Sequence, residues 1–166
     1  IESDITLTRL SETSYIIVTP AATRLADQTW MSRHAFNYNV VIIDVTAGEG
    51  ILAVMGPNSR KFLKSISSAD LSNEKNPFGT AQEVEIGLGL ARIHRVSFVG
   101  ELGWEVYIST DQAGHVFEVI AEAGKDMDLK FCGMHMMDSC RIEKGVRHLG
   151  HDITCEDHVL EAGLGF

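Results

Sequence analysis

The stretch Ser97-Phe98-Val99-Gly100-Glu101-Leu102-Gly103-Trp104-Glu105-Val106-Tyr107-Ile108, SFVGELGWEVYI, decides what kind of fold this sequence builds. Two strand-like runs, Leu88 to Phe98 and Trp104 to Ser109, flank a turn that carries Gly100 and Gly103. Alternating apolar positions bounded by glycines read as a hairpin. The hairpin needs the glycines, but it does not need Phe98 before the turn and Glu105 just after it.

The rest of the chain tells how that hairpin is dressed. Asp4 to Leu10 alternates polar and apolar residues, the pattern of a half-buried strand, and after Ser11-Glu12-Thr13 the β-branched run Tyr15 to Thr19 pairs back on it. Pro20 has no N–H to give and stops that ladder. A helix follows from Ala22 to Phe36, with Leu25, Ala26 and Trp30 at helical spacing. Val40 to Val45 and Ile51 to Met55 read as short apolar strands. Gly56-Pro57 opens a helix whose inner stripe is Ser59, Phe62, Leu63 and Ile66. Asp70 to Gly79 is a loop. After the opening stretch, Asp111 can cap a helix facing inward through Ala113, Val116, Phe117 and Ile120. A last helix runs from Met134 to Lys144 and ends at Gly145. Strand pairs alternating with helices predict an α+β fold with largely antiparallel sheets and packed helices.

Composition bounds the function. The 166 residues are 45% hydrophobic and 22% charged, which is ordinary for a globular domain. A net charge of −9 argues against nucleic acid, which needs clustered Lys and Arg. No apolar run reaches the roughly 20 residues that span a bilayer, so no membrane partner is expected. Cys132, Cys140 and Cys155 form no C-x-x-C pair, which fits a reducing compartment, the cytoplasm or, in a eukaryote, the mitochondrial matrix. The chain opens without Met, already in a strand pattern, and closes on Glu161 to Phe166 with no stop signal. The expectation is a fragment of something larger.

Several motifs have competing readings. Gly87-x-Gly89 resembles the start of a dinucleotide fingerprint, but Arg92 stands where the third glycine belongs and Leu90 continues as a strand. His148, His151, Cys155 and His158 would share a face on a helix, as zinc ligands can. Gly150, Ile153 and Thr154 disfavour that helix, and a polar connector is the preferred account, so no metal is assigned. Asp138 and Arg141 stand at ion-pair spacing on the last helix. Glu2, Asp4, Thr6 and Thr8 share one face of the first strand: a solvated face, or an acid/base site at Asp4 if that face lines a cavity. The opening stretch has two readings as well. A flat heterocycle with adjacent N–H donors, such as a pterin edge, wants a carboxylate to accept them and an aromatic against its plane, and Glu105 and Phe98 could supply both. The plain alternative buries Phe98 and Trp104 and leaves Glu105 in solvent.

Four segments together resemble the folate-binding aminomethyltransferase family, whose founding member is the T-protein of the glycine cleavage system. Ile1-Glu2-Ser3-Asp4 is similar to its Gly-Gly-Ile-x-[Ser/Asp]-Asp strand entry, and Ala53-Val54-Met55-Gly56-Pro57 to its A-[LV]-x-G-P helix start. His94 to Glu105 resembles S-R-x-G-Y-T-G-E-x-G-[FY]-E, and Asp138 to Gly145 resembles D-[ST]-L-R-[LI]-E-[AK]-G. Ser3-Asp4, Arg141 to His148 and Leu160 to Phe166 favour the C-terminal folate domain of dimethylglycine and sarcosine dehydrogenase-like, FAD-dependent oxidoreductases. The resemblance implies that residues 1–166 are the central part of the aminomethyltransferase folate-binding fold, incomplete because the C-terminal β-barrel and the linked FAD-binding domain lie outside. It implies tetrahydrofolate and, in the full-length protein, FAD as cofactors, and a small methylated amine as substrate, with formation of 5,10-methylene-tetrahydrofolate. It places Asp4 as catalytic carboxylate, Glu105 on the pterin ring, Phe98 packed on that ring where the family has Tyr, and Arg141 among the binding residues. Two departures stand out: Met137 replaces the Arg of the family's Ala-Arg-Asp, and Pro20 falls near where the T-protein has an Asn. A stand-alone aminomethyltransferase or demethylase, a non-catalytic interaction module on the same fold, and a zinc-binding module at His148, His151, Cys155 and His158 are the alternatives.

Overall fold

A computed structural model describes residues 1–165; Phe166, the last residue of the closing motif, lies outside the described residues. The chain divides into two compact units, Ile1–Asp44 with Arg147–Phe166, and Val45–Val146.

In the first unit, β1 (Thr6–Arg9) pairs antiparallel with β2 (Tyr15–Val18), with Leu7 opposite Ile17. The expected hairpin is there, shorter at its start, and Asp4 precedes the strand instead of lying in it. Helix α1 spans Arg24–Ala35. Its Asp27 carboxylate accepts hydrogen bonds from Thr19 and, at 2.6 Å, from Thr23, which ties the end of β2 to the helix's first turn. Those hydroxyls hold the carboxyl below its ordinary range.

Two expectations fail in this unit. The stripe of α1 faces solvent: Leu25 is 77% and Trp30 62% exposed, and no residue of the helix is buried. Helical spacing reports that a side is apolar; it does not supply the element that covers it. Val40 to Val45 is no strand, and Val41 and Ile43 are exposed, because a β-prone run becomes a strand only with a ladder partner.

The second unit holds the core. Strands β3 (Glu49–Met55), β4 (Ala81–Ile86), β5 (Gly89–His94) and β6 (Gly103–Ser109) form an antiparallel sheet in the order β3-β6-β5-β4. Helices α2 (Ser59–Ile66) and α3 (Thr110–Gly124) pack on one face, and α4 spans Met134–Glu143. Val54 from β3, Ile93 from β5, and Trp104, Val106 and Ile108 from β6 meet Phe62 and Leu63 of α2 and Val116 and Ile120 of α3. The α2 stripe is buried as its spacing predicts; in α3, Phe117 instead lies at the surface, stacked on Phe131 at 5.6 Å.

Strand β4 was not expected. It makes Gly87-Leu88 the two-residue turn of a β4–β5 hairpin, with Ile86 opposite Gly89, which disposes of the dinucleotide reading in structural terms. The opening stretch is likewise no tight hairpin. Strands β5 and β6 are neighbours, with His94 opposite Glu105, but an eight-residue loop, 95–102, joins them. The α+β class with antiparallel sheets stands. No strand follows Ser109 among the described residues beyond one bridge, Leu149 to Ile153.

Candidate functional site

Strand alternation gives the sheet two different faces. Trp104, Val106 and Ile108 point into the core, so Glu105 and Tyr107 project from the opposite face. The register places Ala53 of β3 on one side of Glu105 and His94 of β5 on the other, and Arg92 beside Tyr107. Glu105 is half-buried, and its Oε2 accepts a hydrogen bond from the Tyr107 hydroxyl at 2.6 Å. Among the described residues no other donor reaches Glu105, so Oε1 remains available to a ligand N–H. Ala53 is short and exposed, which leaves that side of the carboxylate open.

Beside Glu105 the face is closed by aromatic and charged groups. Tyr107 is 3% and His94 2% exposed, and their rings stack at 4.2 Å. The Arg92 guanidinium lies 5.9 Å from the Tyr107 ring centroid and donates to Glu49 Oε1 at 2.9 Å. Burial first, then the hydrogen bond to Glu105, pushes the Tyr107 phenol well above its ordinary range. Burial first, then the Arg92 charge, pushes His94 below 6.5, with Glu49 opposing. His94 is therefore neutral in the fold and must gain a proton on unfolding in acid. Its effect is absent above pH 6.5 and lowers stability progressively as pH falls from 6.5 towards the depressed folded-state value. Urea unfolding across that window should show this loss in the wild type, and a flatter profile in His94→Phe.

Phe98 sits in loop 95–102, which begins just after His94, the ladder partner of Glu105. The loop is pinned at both ends. Leu102 O accepts from Gly56 N at 2.7 Å and Ser59 Oγ at 3.0 Å, while Arg95 N donates to Thr80 O at 2.9 Å. In its middle, the Arg141 guanidinium covers the half-buried Phe98 ring, 5.6 Å from the centroid. Arg141 is 2% exposed; its Nε donates to Asp138 Oδ1 at 2.8 Å and its Nη1 to Val146 O at 3.0 Å. Lys144 crosses Gly100, whose φ of +71° and lack of Cβ permit the approach: a Cβ there would stand 2.2 Å from Lys144 Cγ.

Three of the four expected site residues, Phe98, Glu105 and Arg141, thus belong to the second unit, and the structure couples Phe98 directly to Arg141. Asp4 belongs to the first unit, where it is exposed. Tyr107, His94, Arg92 and Glu49 escaped sequence reasoning. The available signal was alternation: Arg92 and His94, then Glu105 and Tyr107, stand two apart in runs whose other positions are apolar. His148 and His151 stack at 4.2 Å within turns, so the helical face that the zinc alternative needs does not form, as Gly150, Ile153 and Thr154 predict.

A family model described as the GCVT N-terminal domain matches residues 1–166. The chain is 45% identical to 4-methylaminobutanoate oxidase (formaldehyde-forming) of Paenarthrobacter nicotinovorans, over 100% of this chain and 20% of that protein. It is 30% identical to the mitochondrial dimethylglycine dehydrogenase of Homo sapiens, over 99% of this chain and 19% of that one. The chain therefore spans about a fifth of the length of these curated relatives. Among solved structures, heterotetrameric sarcosine oxidase from Corynebacterium sp. U-96, in complex with pyrrole 2-carboxylate, superposes with a TM-score of 0.63 at 16% identity. The likeness covers 79% of this chain and 65% of that one, and it speaks to the fold.

Proposed function

Because this chain belongs to the GCVT N-terminal domain family over its residues 1–166, we propose that it is the tetrahydrofolate-binding, one-carbon transfer domain of an FAD-dependent N-methyl amine dehydrogenase or oxidase. In this reading a covalently linked FAD-binding domain, outside these residues, oxidises a small methylated amine of the dimethylglycine or sarcosine type. The folate domain then receives the one-carbon unit, giving 5,10-methylene-tetrahydrofolate. The 45% identity to an oxidase named as formaldehyde-forming supports oxidation at an N-methyl group. All three cysteines are free thiols, in keeping with the cytoplasm or, as for the mitochondrial human relative, the mitochondrion. No helix among the described residues is long and apolar enough to cross a membrane.

The observation that carries the folate assignment is Glu105: a half-buried carboxylate with one oxygen held by Tyr107, the other without a donor among the described residues, and a small exposed neighbour in Ala53. Such a group fits a flat ring bearing adjacent N–H donors. Tetrahydrofolate, when bound, supplies the two amines that accept the carbon. Glu105 accepts hydrogen bonds from the pterin edge, and Phe98 offers its ring face. Arg141 serves through Phe98 and the loop rather than by touching the ligand, since its guanidinium is already engaged by Asp138, Val146 and the Phe98 ring. Asp4 provides the exposed carboxylate that orients the attacking amine and takes its proton. Holding the reactive carbon beside the folate amines turns a bimolecular encounter into a local one.

Calorimetric titration of the intact protein with tetrahydrofolate tests this. Glu105→Ala should lose about 1.5–3 kcal/mol of binding, the worth of a hydrogen bond to a charged group. A well-folded wild type that binds no tetrahydrofolate would sink the reading and leave a folate-fold interaction module.

A further inference from the structure

The geometry points to Tyr107 as the positioning residue for Glu105, which fixes the orientation of the ligand-binding carboxylate; this rests on the folate reading above. Tyr107 and Glu105 stand two apart on β6, so both project from the sheet face opposite the helices. The phenol donates to Oε2 at 2.6 Å, a short contact for an O–H to a carboxylate. A glutamate on an open face has three side-chain torsions to order when it binds a ligand, and that ordering opposes binding. Anchoring Oε2 removes most of this freedom before the ligand arrives and presents Oε1 as the free acceptor.

The anchor is itself held by two groups, one of them braced in turn by a third. His94 stacks on the phenol at 4.2 Å, Arg92 lies over it at 5.9 Å, and Glu49 holds Arg92 at 2.9 Å. With 3% of its surface exposed, Tyr107 is too enclosed to serve as a ligand contact of any extent. A core role alone would be met by phenylalanine. Among the described residues the hydroxyl has one acceptor, Glu105, and that bond accounts for it.

The test is a double-mutant cycle on the intact protein, read by tetrahydrofolate calorimetry in the wild type, Glu105→Ala, Tyr107→Phe and the double variant. Tyr107→Phe should weaken binding roughly tenfold, less than a full hydrogen bond to the ligand's charged partner would cost. In the Glu105→Ala background the same change should have no further effect, because there is nothing left to orient. Wild-type affinity in Tyr107→Phe, or equal losses in both backgrounds, overturns the assignment while leaving Glu105 as ligand acceptor. Unchanged binding in Glu105→Ala overturns the folate reading of Glu105 and this inference with it. A second measurement does not depend on how well Tyr107→Phe folds. In an ultraviolet pH titration, one tyrosine should ionise at lower pH in Glu105→Ala than in the wild type, and identical titrations would contradict the coupling.

Discussion

Trp104→Ala is expected to bring the second unit to the edge of unfolding. Trp104 is fully buried at the centre of the sheet, among residues of α2, α3 and the neighbouring strands. Its indole Nε1 donates to Asn76 Oδ1 at 2.6 Å, and Asn76 is itself 1% exposed. Arg60 and Arg95 lie 5.7 and 5.8 Å from the ring centroid. Truncation removes the largest side chain of the core, which costs about 3–5 kcal/mol in comparable sites. It also leaves a buried amide oxygen without its donor, a further penalty of about 1–3 kcal/mol. Together these approach the about 5–15 kcal/mol that holds a typical domain folded. Trp104→Phe separates the two contributions, since it keeps most of the volume and loses the N–H. Hydrogen exchange on the intact protein should show β6 amides losing protection strongly in Trp104→Ala and partly in Trp104→Phe. Full protection in both would show that Asn76 and the two arginines are organised without the indole.

Arg141→Met should destabilise the same unit by about 3 kcal/mol, the lower end of what breaking a buried pair costs, because Asp138 keeps some contact with solvent. The change removes the donor to Val146 O at the end of α4 and the cation over Phe98. Its distinctive result is local: exchange should rise first in loop 95–102, and tetrahydrofolate affinity should fall although Glu105 is untouched. Arg141→Lys keeps the charge but not the planar fork that reaches Asp138 and Val146 together, so it should rescue stability only in part. Rapid exchange confined to α4, with loop 95–102 as protected as in the wild type, would mean that Phe98 is held by its other neighbours.

Both expected results depend on features of unequal visibility in the sequence. The apolar stripe of α2, the Asp138–Arg141 spacing and the glycine that ends α4 could be read from local pattern, and they stand where the pattern put them. These are short-range matters, fixed by side-chain periodicity and by the steric freedom of one residue. The family motifs were equally legible, since they too are runs of adjacent residues. Strand β4 was missed because AQEVEI has few apolar positions; its alternation gains meaning only from pairing with β5. The run Val40 to Val45 failed in the opposite direction, having the propensity but no partner.

What the sequence by itself determined is the class of fold, the order of most elements, and the two residues, Phe98 and Glu105, around which the site is proposed. What only the tertiary structure decided is how those residues are held. Arg141 lies 43 positions after Phe98 and covers its ring; Glu49 lies 43 before Arg92 and pins it; Asn76 lies 28 before Trp104 and accepts its indole N–H hydrogen bond. Such pairs are separated by whole strands and helices, so no local pattern encodes them. They arise because packing one face of the sheet on α2 and α3 forces every second residue of β5 and β6 onto the other face, where Glu105, Tyr107, His94 and Arg92 have one another as neighbours.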